Sequence, residues 1–159
     1  MILGIDPGLS GAIALLDGER CVEVWDMPVT EKLHGKGREV NAYLLVDVIL
    51  EALEMDEGLA APVAYVERVS AMPGQGVSGM FSLGRSAGVV AGVLAAWGVR
   101  VEYVTPQAWK RSQGLLKKSK DASRTLAIQR WPEMREQLKL KKHDGRAEAM
   151  LIADYGRAA

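Results

Sequence analysis

The 159-residue sequence predicts an α/β fold: a mixed five-stranded sheet with helices on both faces. Three observations point there. Three short apolar or alternating runs open the chain, separated by turn residues. Beyond residue 40, strand-like runs alternate with helical stripes. The length suits one domain with a sizeable core and leaves little room for a second, so residues 1–159 are read as a single domain.

Ile2 to Ile5 is an apolar run ended by Asp6-Pro7-Gly8. Gly11-Ala-Ile-Ala-Leu-Leu16 resumes before the turn Asp17-Gly18, and the pair reads as a hairpin. Val22 to Met27 alternates and adds a third antiparallel strand. Pro28, Gly35 and Gly37 mark residues 28–40 as a loop, one that carries Lys32, His34, Lys36 and Arg38. Asn41 is a helix N-cap, followed by the stripe Leu44, Leu45, Val48, Ile49 and Leu53, which ends near residues 55–58.

Pro62 to Glu67 reads as a buried strand ending in an acid, and residues 73–76 as a flexible loop. Phe81 to Trp97 is helical. Its most apolar stretch, Ala87 to Val99, is shorter than the roughly 20 residues that span a bilayer, and is expected to be a core helix. Gly84, Gly88 and Gly92 share one face, which implies close packing, first against the sheet and otherwise against a second subunit's helix. Val99 to Val104 is the fifth strand. Thr105-Pro106 caps a short helix through Trp109; a basic connection from Gly114 to Lys120 leads to a helix over 121–130, stopped by Trp131-Pro132, and a last helix starts near Asp144.

The formal net charge of zero conceals an asymmetry. Residues 1–104 hold 7 Lys/Arg against 14 Asp/Glu, whereas residues 105–146 hold 12 against 4. A basic third of this kind is the footprint of a phosphate-backbone contact, set against the plainer reading of a solvated lysine-rich surface. The lone Cys21 excludes an internal disulfide and a cysteine-rich zinc site, and is expected to be a buried, inert thiol. With no signal peptide visible after Met1, a cytoplasmic setting is expected.

Four acids stand out. Asp6 and Glu67 each end an apolar strand, and Asp144 and Glu148 lie one turn apart on one helix. Singly, each has an ordinary explanation as a turn, strand-end, capping or solvated residue. Together they suit two divalent ions, since magnesium prefers oxygen ligands and is held by one or two carboxylates plus substrate phosphate. Two such ions about 3.5–4 Å apart promote phosphodiester hydrolysis. With only His34 and His143 present, no Ser-His-Asp arrangement competes, and Gly74-Gln-Gly-Val-Ser-Gly79 lacks the Gly-Lys-Ser/Thr ending of a nucleotide-binding loop.

These segments also resemble a known family. Gly4-Ile-Asp-Pro-Gly-Leu-Ser-Gly-Ala12 is similar to the opening strand and turn of RuvC-type Holliday junction resolvases, and Tyr65-Val-Glu-Arg-Val69 to their second acidic strand. Thr105-Pro-Gln-Ala-Trp-Lys110, Gly114-Leu115 and the run from His143 through Asp144, Glu148 and Ala153 complete the series in order. The short form with Trp25-Asp-Met-Pro28 looks most like bacteriophage members.

The resemblance implies a ribonuclease H-like fold and a homodimeric endonuclease that cuts four-way DNA junctions. It implies two Mg2+ ions per site, with Mn2+ as a substitute, held by Asp6, Glu67, Asp144 and Glu148. His143 becomes a candidate ligand, proton-transfer group or phosphate contact, and Lys110, Lys117, Lys118 and Lys120 become candidate DNA contacts. Two departures matter: the final acid is glutamate, and the Asp144 to Glu148 spacing is four where bacterial members have three. The family's aromatic wedge falls on Ser70, leaving Met72 or Phe81 as replacements, although a phenylalanine opening an apolar helix is ordinarily core. A branch or flap nuclease, an RNA-processing nuclease, a catalytically dead junction binder and a kinase-like or chaperone-like nucleotide binder are the alternatives.

Overall fold

A computed structural model describes residues 1–55, 62–71 and 74–159, with the backbone alone for Lys120. Strands β1 (Ile2–Asp6), β2 (Ala12–Asp17), β3 (Arg20–Asp26), β6 (Val63–Glu67) and β7 (Arg100–Val104) form one sheet in the order β3-β2-β1-β6-β7. β1 runs antiparallel to β2 and parallel to β6, which is parallel to β7. The expected mixed five-stranded sheet is therefore present. Its third strand begins two residues earlier than the alternation suggested, with a register shift at Leu15/Leu16.

The segment expected to be a loop over residues 28–40 is corrected. It contains a second, two-stranded sheet, β4 (Val29–Glu31) against β5 (Arg38–Val40). Gly35 and Gly37 take φ of 92° and 101° and turn the chain between two strands too short to show an alternating pattern.

Side-chain alternation divides the core. Along β2, Ala12, Ala14 and Leu16 pack on one face of the sheet, Ile13 and Leu15 on the other. The second face is covered by α1 (Ala42–Glu54) and α2 (Val77–Ala96), through Leu45, Ile49, Val90 and Leu94. α3 (Pro106–Ser112), α4 (Lys120–Arg130) and α5 (Asp144–Arg157) cover the first, with Trp109, Trp131, Leu138, Met150 and Leu151. Asn41 Oδ1 accepts the Tyr43 and Leu44 N–H groups at 3.1 and 3.2 Å, and Thr105 Oγ1 accepts that of Ala108 at 3.2 Å, so both expected caps form. Cys21 is buried, and burial pushes its thiol up to about 12.

α2 departs from the sequence reading in three ways. It begins at Val77, so Phe81 lies in its second turn and is 72% exposed, not core. Half of the helix's residues are exposed, and a Cβ at Gly84, Gly88 or Gly92 would meet no atom of the described residues, so that face does not pack on the sheet. At 20 residues it is also long and apolar enough to cross a bilayer by length and composition. Here its inner face rests on α1, β7 and β5 instead, and Arg85 at mid-length pairs with Glu39.

Candidate active site

The two-residue repeat of β1 sends Leu3 and Ile5 toward α1 and α2, and turns Gly4 and Asp6 to the α5 side. Gly4 is the point of closest approach: an added Cβ would run into the Ala149 carbonyl and the Ala153 nitrogen of α5. In β6, Ala64 and Val66 face α1 and α2 while Tyr65 packs on α5, so Glu67 shares the α5 side with Asp6. The parallel register pairs Ile5 with Val66, which sets Asp6 and Glu67 at the carboxyl ends of adjacent strands. α5 begins beside them, since a Cβ on Gly145 would strike the Ser10 carbonyl of the β1–β2 turn.

The consequence is electrostatic. Asp6 lies densely surrounded by protein though partly exposed on one side, and its carboxyl is raised to about 7. Loss of hydration is the main cause; the Gly8 N–H, donated at 3.1 Å, opposes it, and the negative fields of Glu67, Glu148 and Asp144 add to it. Glu67 is raised by burial, opposed by the Trp109 indole N–H at 2.8 Å, raised again by Glu148, and lowered by Lys110. Glu148 meets Lys110 Nζ at 3.2 Å, and the Ser123 hydroxyl donates to the same oxygen at 3.4 Å. Asp144 accepts the Gly145 N–H at 3.1 Å.

As these side chains stand, no three His, Cys, Asp or Glu residues among those described form a ready cage for an ion. Trp109 and the Lys110–Ser123 pair each engage one oxygen, so Glu67 and Glu148 each retain a second oxygen for a ligand. Four carboxylates with Lys110 as near counter-charge are a donor set that divalent cations fit.

No family model matches the chain. Over 152 residues it is 34% identical to "Holliday junction resolvase MOC1, chloroplastic" of Chlamydomonas reinhardtii, a match covering 86% of this chain and 17% of that protein's length. The structure of T. thermophilus RuvC in complex with Holliday junction substrate superposes with a TM-score of 0.56 at 19% identity, covering 97% of this chain and 90% of that one. This chain has the RuvC fold. A second Thermus thermophilus RuvC structure agrees, with a TM-score of 0.54 at 17% identity over 97% and 91% of the two chains.

On this RuvC fold the remaining sequence candidates separate into two groups. Lys110 is at the site, its ammonium 4.9 Å from the Trp109 ring centroid. Lys117 and Lys118 are exposed in the α3–α4 connection and form no ion pair among the described residues; Lys117 holds a left-handed φ of 59°, unusual for a side chain with a Cβ. Lys120 opens α4. His143 is turned elsewhere: it packs near Asp26, Arg146 and Lys142, and burial, then Arg146, hold its imidazole below the ordinary range. Ser70 is exposed, and Met72 lies outside the described residues. Sequence reasoning missed Trp109 and Ser123 as partners of the acids.

Proposed function

We propose that the chain is a single RuvC-like nuclease domain, a cytoplasmic endodeoxyribonuclease that cuts four-way DNA junctions as a homodimer. The observation that carries this reading is the meeting of Asp6 and Glu67, on adjacent parallel strands, with Asp144 and Glu148 on α5. Support comes also from the relative described as a Holliday junction resolvase and from the RuvC neighbour bound to a Holliday junction substrate. A four-way junction has two-fold character, which a symmetric dimer with one site per subunit matches.

Asp6, Glu67, Asp144 and Glu148 would hold two Mg2+ ions, or Mn2+ in their place, and such ions supply charge neutralisation and water activation in phosphodiester hydrolysis. The protein's part is positioning. Trp109 orients Glu67 through its indole N–H, and Ser123 with Lys110 orients Glu148. Lys110, paired with Glu148, would exchange that carboxylate for a phosphate oxygen of the scissile strand, and Lys117, Lys118 and Lys120 would be further contacts to the same strand.

The test is cleavage of a synthetic four-way junction beside a flap, a fork and a structured RNA, with Mg2+ and with Mn2+. Paired nicks in the junction are expected, and Asp6→Asn, Glu67→Gln and Asp144→Asn should each lower the rate by at least roughly a hundredfold while junction binding persists. Equal cutting of flap and fork points to a broader branched-DNA nuclease. Binding without cutting of any substrate points to a junction-binding module.

A further inference from the structure

A cavity of about 270 Å³, walled in part by Leu9, Ser10 and Gly11 of the turn that follows Asp6, opens between the β4–β5 hairpin and the residues leading into α5. Its polar wall is Ser10, Asp26, Arg38, Lys142 and His143. Asp26 is already neutralised, since both its oxygens accept from the Arg146 guanidinium at 2.6 and 2.8 Å. Arg38 and Lys142 form no ion pair among the described residues, although Lys142 lies within the field of Asp26. Beyond the Asp26–Arg146 pair, two further cations therefore line one cavity.

His143 supplies the second, independent observation. The residue is 8% exposed and lies near the surface. Nδ1 accepts the Leu140 N–H at 3.4 Å, which leaves the proton on Nε2, and among the described residues Nε2–H has no partner. A donor on a cavity wall with no protein acceptor is available to a ligand oxygen. Leu9, Met27 and Val29 make the rest of the wall apolar, which strengthens any charge interaction inside.

We infer that this cavity is a second phosphate subsite, in which Arg38, Lys142 and the His143 Nε2–H hold a backbone phosphodiester of the DNA strand lying across Asp6. The inference deepens the nuclease reading and rests on it. It makes the β4–β5 hairpin part of the DNA interface: the strand is gripped on the hairpin side of the acids as well as on the α3–α4 side. A phosphodiester brings one negative charge and two non-bridging oxygens, each able to accept more than one hydrogen bond, so the three donors can share them.

Junction affinity measured from low to moderate salt tests this, for the parent, Arg38→Ala, Arg38→Lys, Lys142→Ala and, as a control at the opposite end of the sheet, Arg20→Ala. Because both cations serve one phosphate, each Ala variant should reduce the slope of log affinity against log salt by up to about 0.9 and weaken binding by up to roughly tenfold. Arg38→Lys should keep the slope, because the slope counts charge, and Arg20→Ala should match the parent. A scan with single methylphosphonates then locates the phosphate: one position should weaken the parent and lose its effect in Arg38→Ala. Titrating inorganic phosphate against the His143 Nε2–H resonance asks whether a free anion alone suffices; the subsite predicts a shift with the junction and a weaker one with phosphate. Parental affinity and slope in both Arg38→Ala and Lys142→Ala would overturn the subsite while leaving the nuclease reading intact. A parent that binds no junction would overturn both.

Discussion

Asp6 carries a proton in the folded protein at pH values where an ordinary aspartate has lost it, because its carboxyl is raised from 3.8 to about 7. The sign of the linkage follows. The folded state holds the proton more tightly, so the group's contribution to stability is fully present below about pH 4 and is lost as pH rises through 7. Three units correspond to at most about 4 kcal/mol, and access of water on one side of the cleft reduces that. In metal-chelated buffer at pH 8, Asp6→Asn should therefore be more stable than the parent by about 1–3 kcal/mol in urea unfolding, and the difference should vanish near pH 4. Mg2+ should raise the melting temperature of the parent and not of the variant. A variant less stable than the parent at pH 8 would remove the crowding of carboxylates as the cause.

The four acids were legible at this scale because an acid ending an apolar strand and a pair one helical turn apart are local patterns. Trp109 was not, although it sits in a segment singled out for Lys110. Its bond to Glu67 joins residues 42 positions apart, and the Ser123–Glu148 contact spans 25. Only the packing of α3 and α4 against the sheet brings those partners together.

Among the elements, those with strong periodicity or capping residues stood where the sequence put them: α1 behind Asn41, α3 behind Thr105, α4 before Trp131-Pro132. The β4–β5 hairpin was hidden because glycine and proline signal a turn whether or not strands flank it. For α2, the glycine face could have met the sheet or a second helix, and the sheet is excluded: the face is exposed, beside Val77 and Phe81. Small residues at a four-residue repeat allow two helices to approach closely. Under the proposed homodimer, Gly88→Leu should give a folded monomer, because no described atom of the subunit lies within 4 Å of a Cβ there while a partner helix would obstruct the side chain. Light scattering with far-UV circular dichroism separates the outcomes, and an unchanged dimer would place the interface elsewhere.

For the molecule as a whole, the charge asymmetry seen along the chain survives folding on the α3–α4 side, where Lys117 and Lys118 stay exposed and form no ion pair among the described residues. Part of the basic segment serves the fold instead. Arg130 pairs with the buried Asp154, Arg124 donates to the Leu138 and Lys139 carbonyls, and Arg146 holds Asp26. Counting charges along a sequence could not have made that division. Replacing Lys117 and Lys118 together with Ala should lower the salt dependence of junction binding by up to about two units, weakening all duplex-arm sequences alike. An unchanged slope would mean that these lysines are only a solvated face.

The direction of β1 and α5 has a consequence for how this fold can be carried. β1 runs toward the acids from Ile2, and α5 runs away from them to Arg157, which lies 3.8 Å from Glu19 in the β2–β3 turn at the far end of the sheet. Both ends of the chain thus emerge on the side remote from the cleft. Additional polypeptide can be joined at either end on the side away from the acids, and under the nuclease reading a fluorescent protein or affinity handle placed there would report on junction engagement without standing in its way.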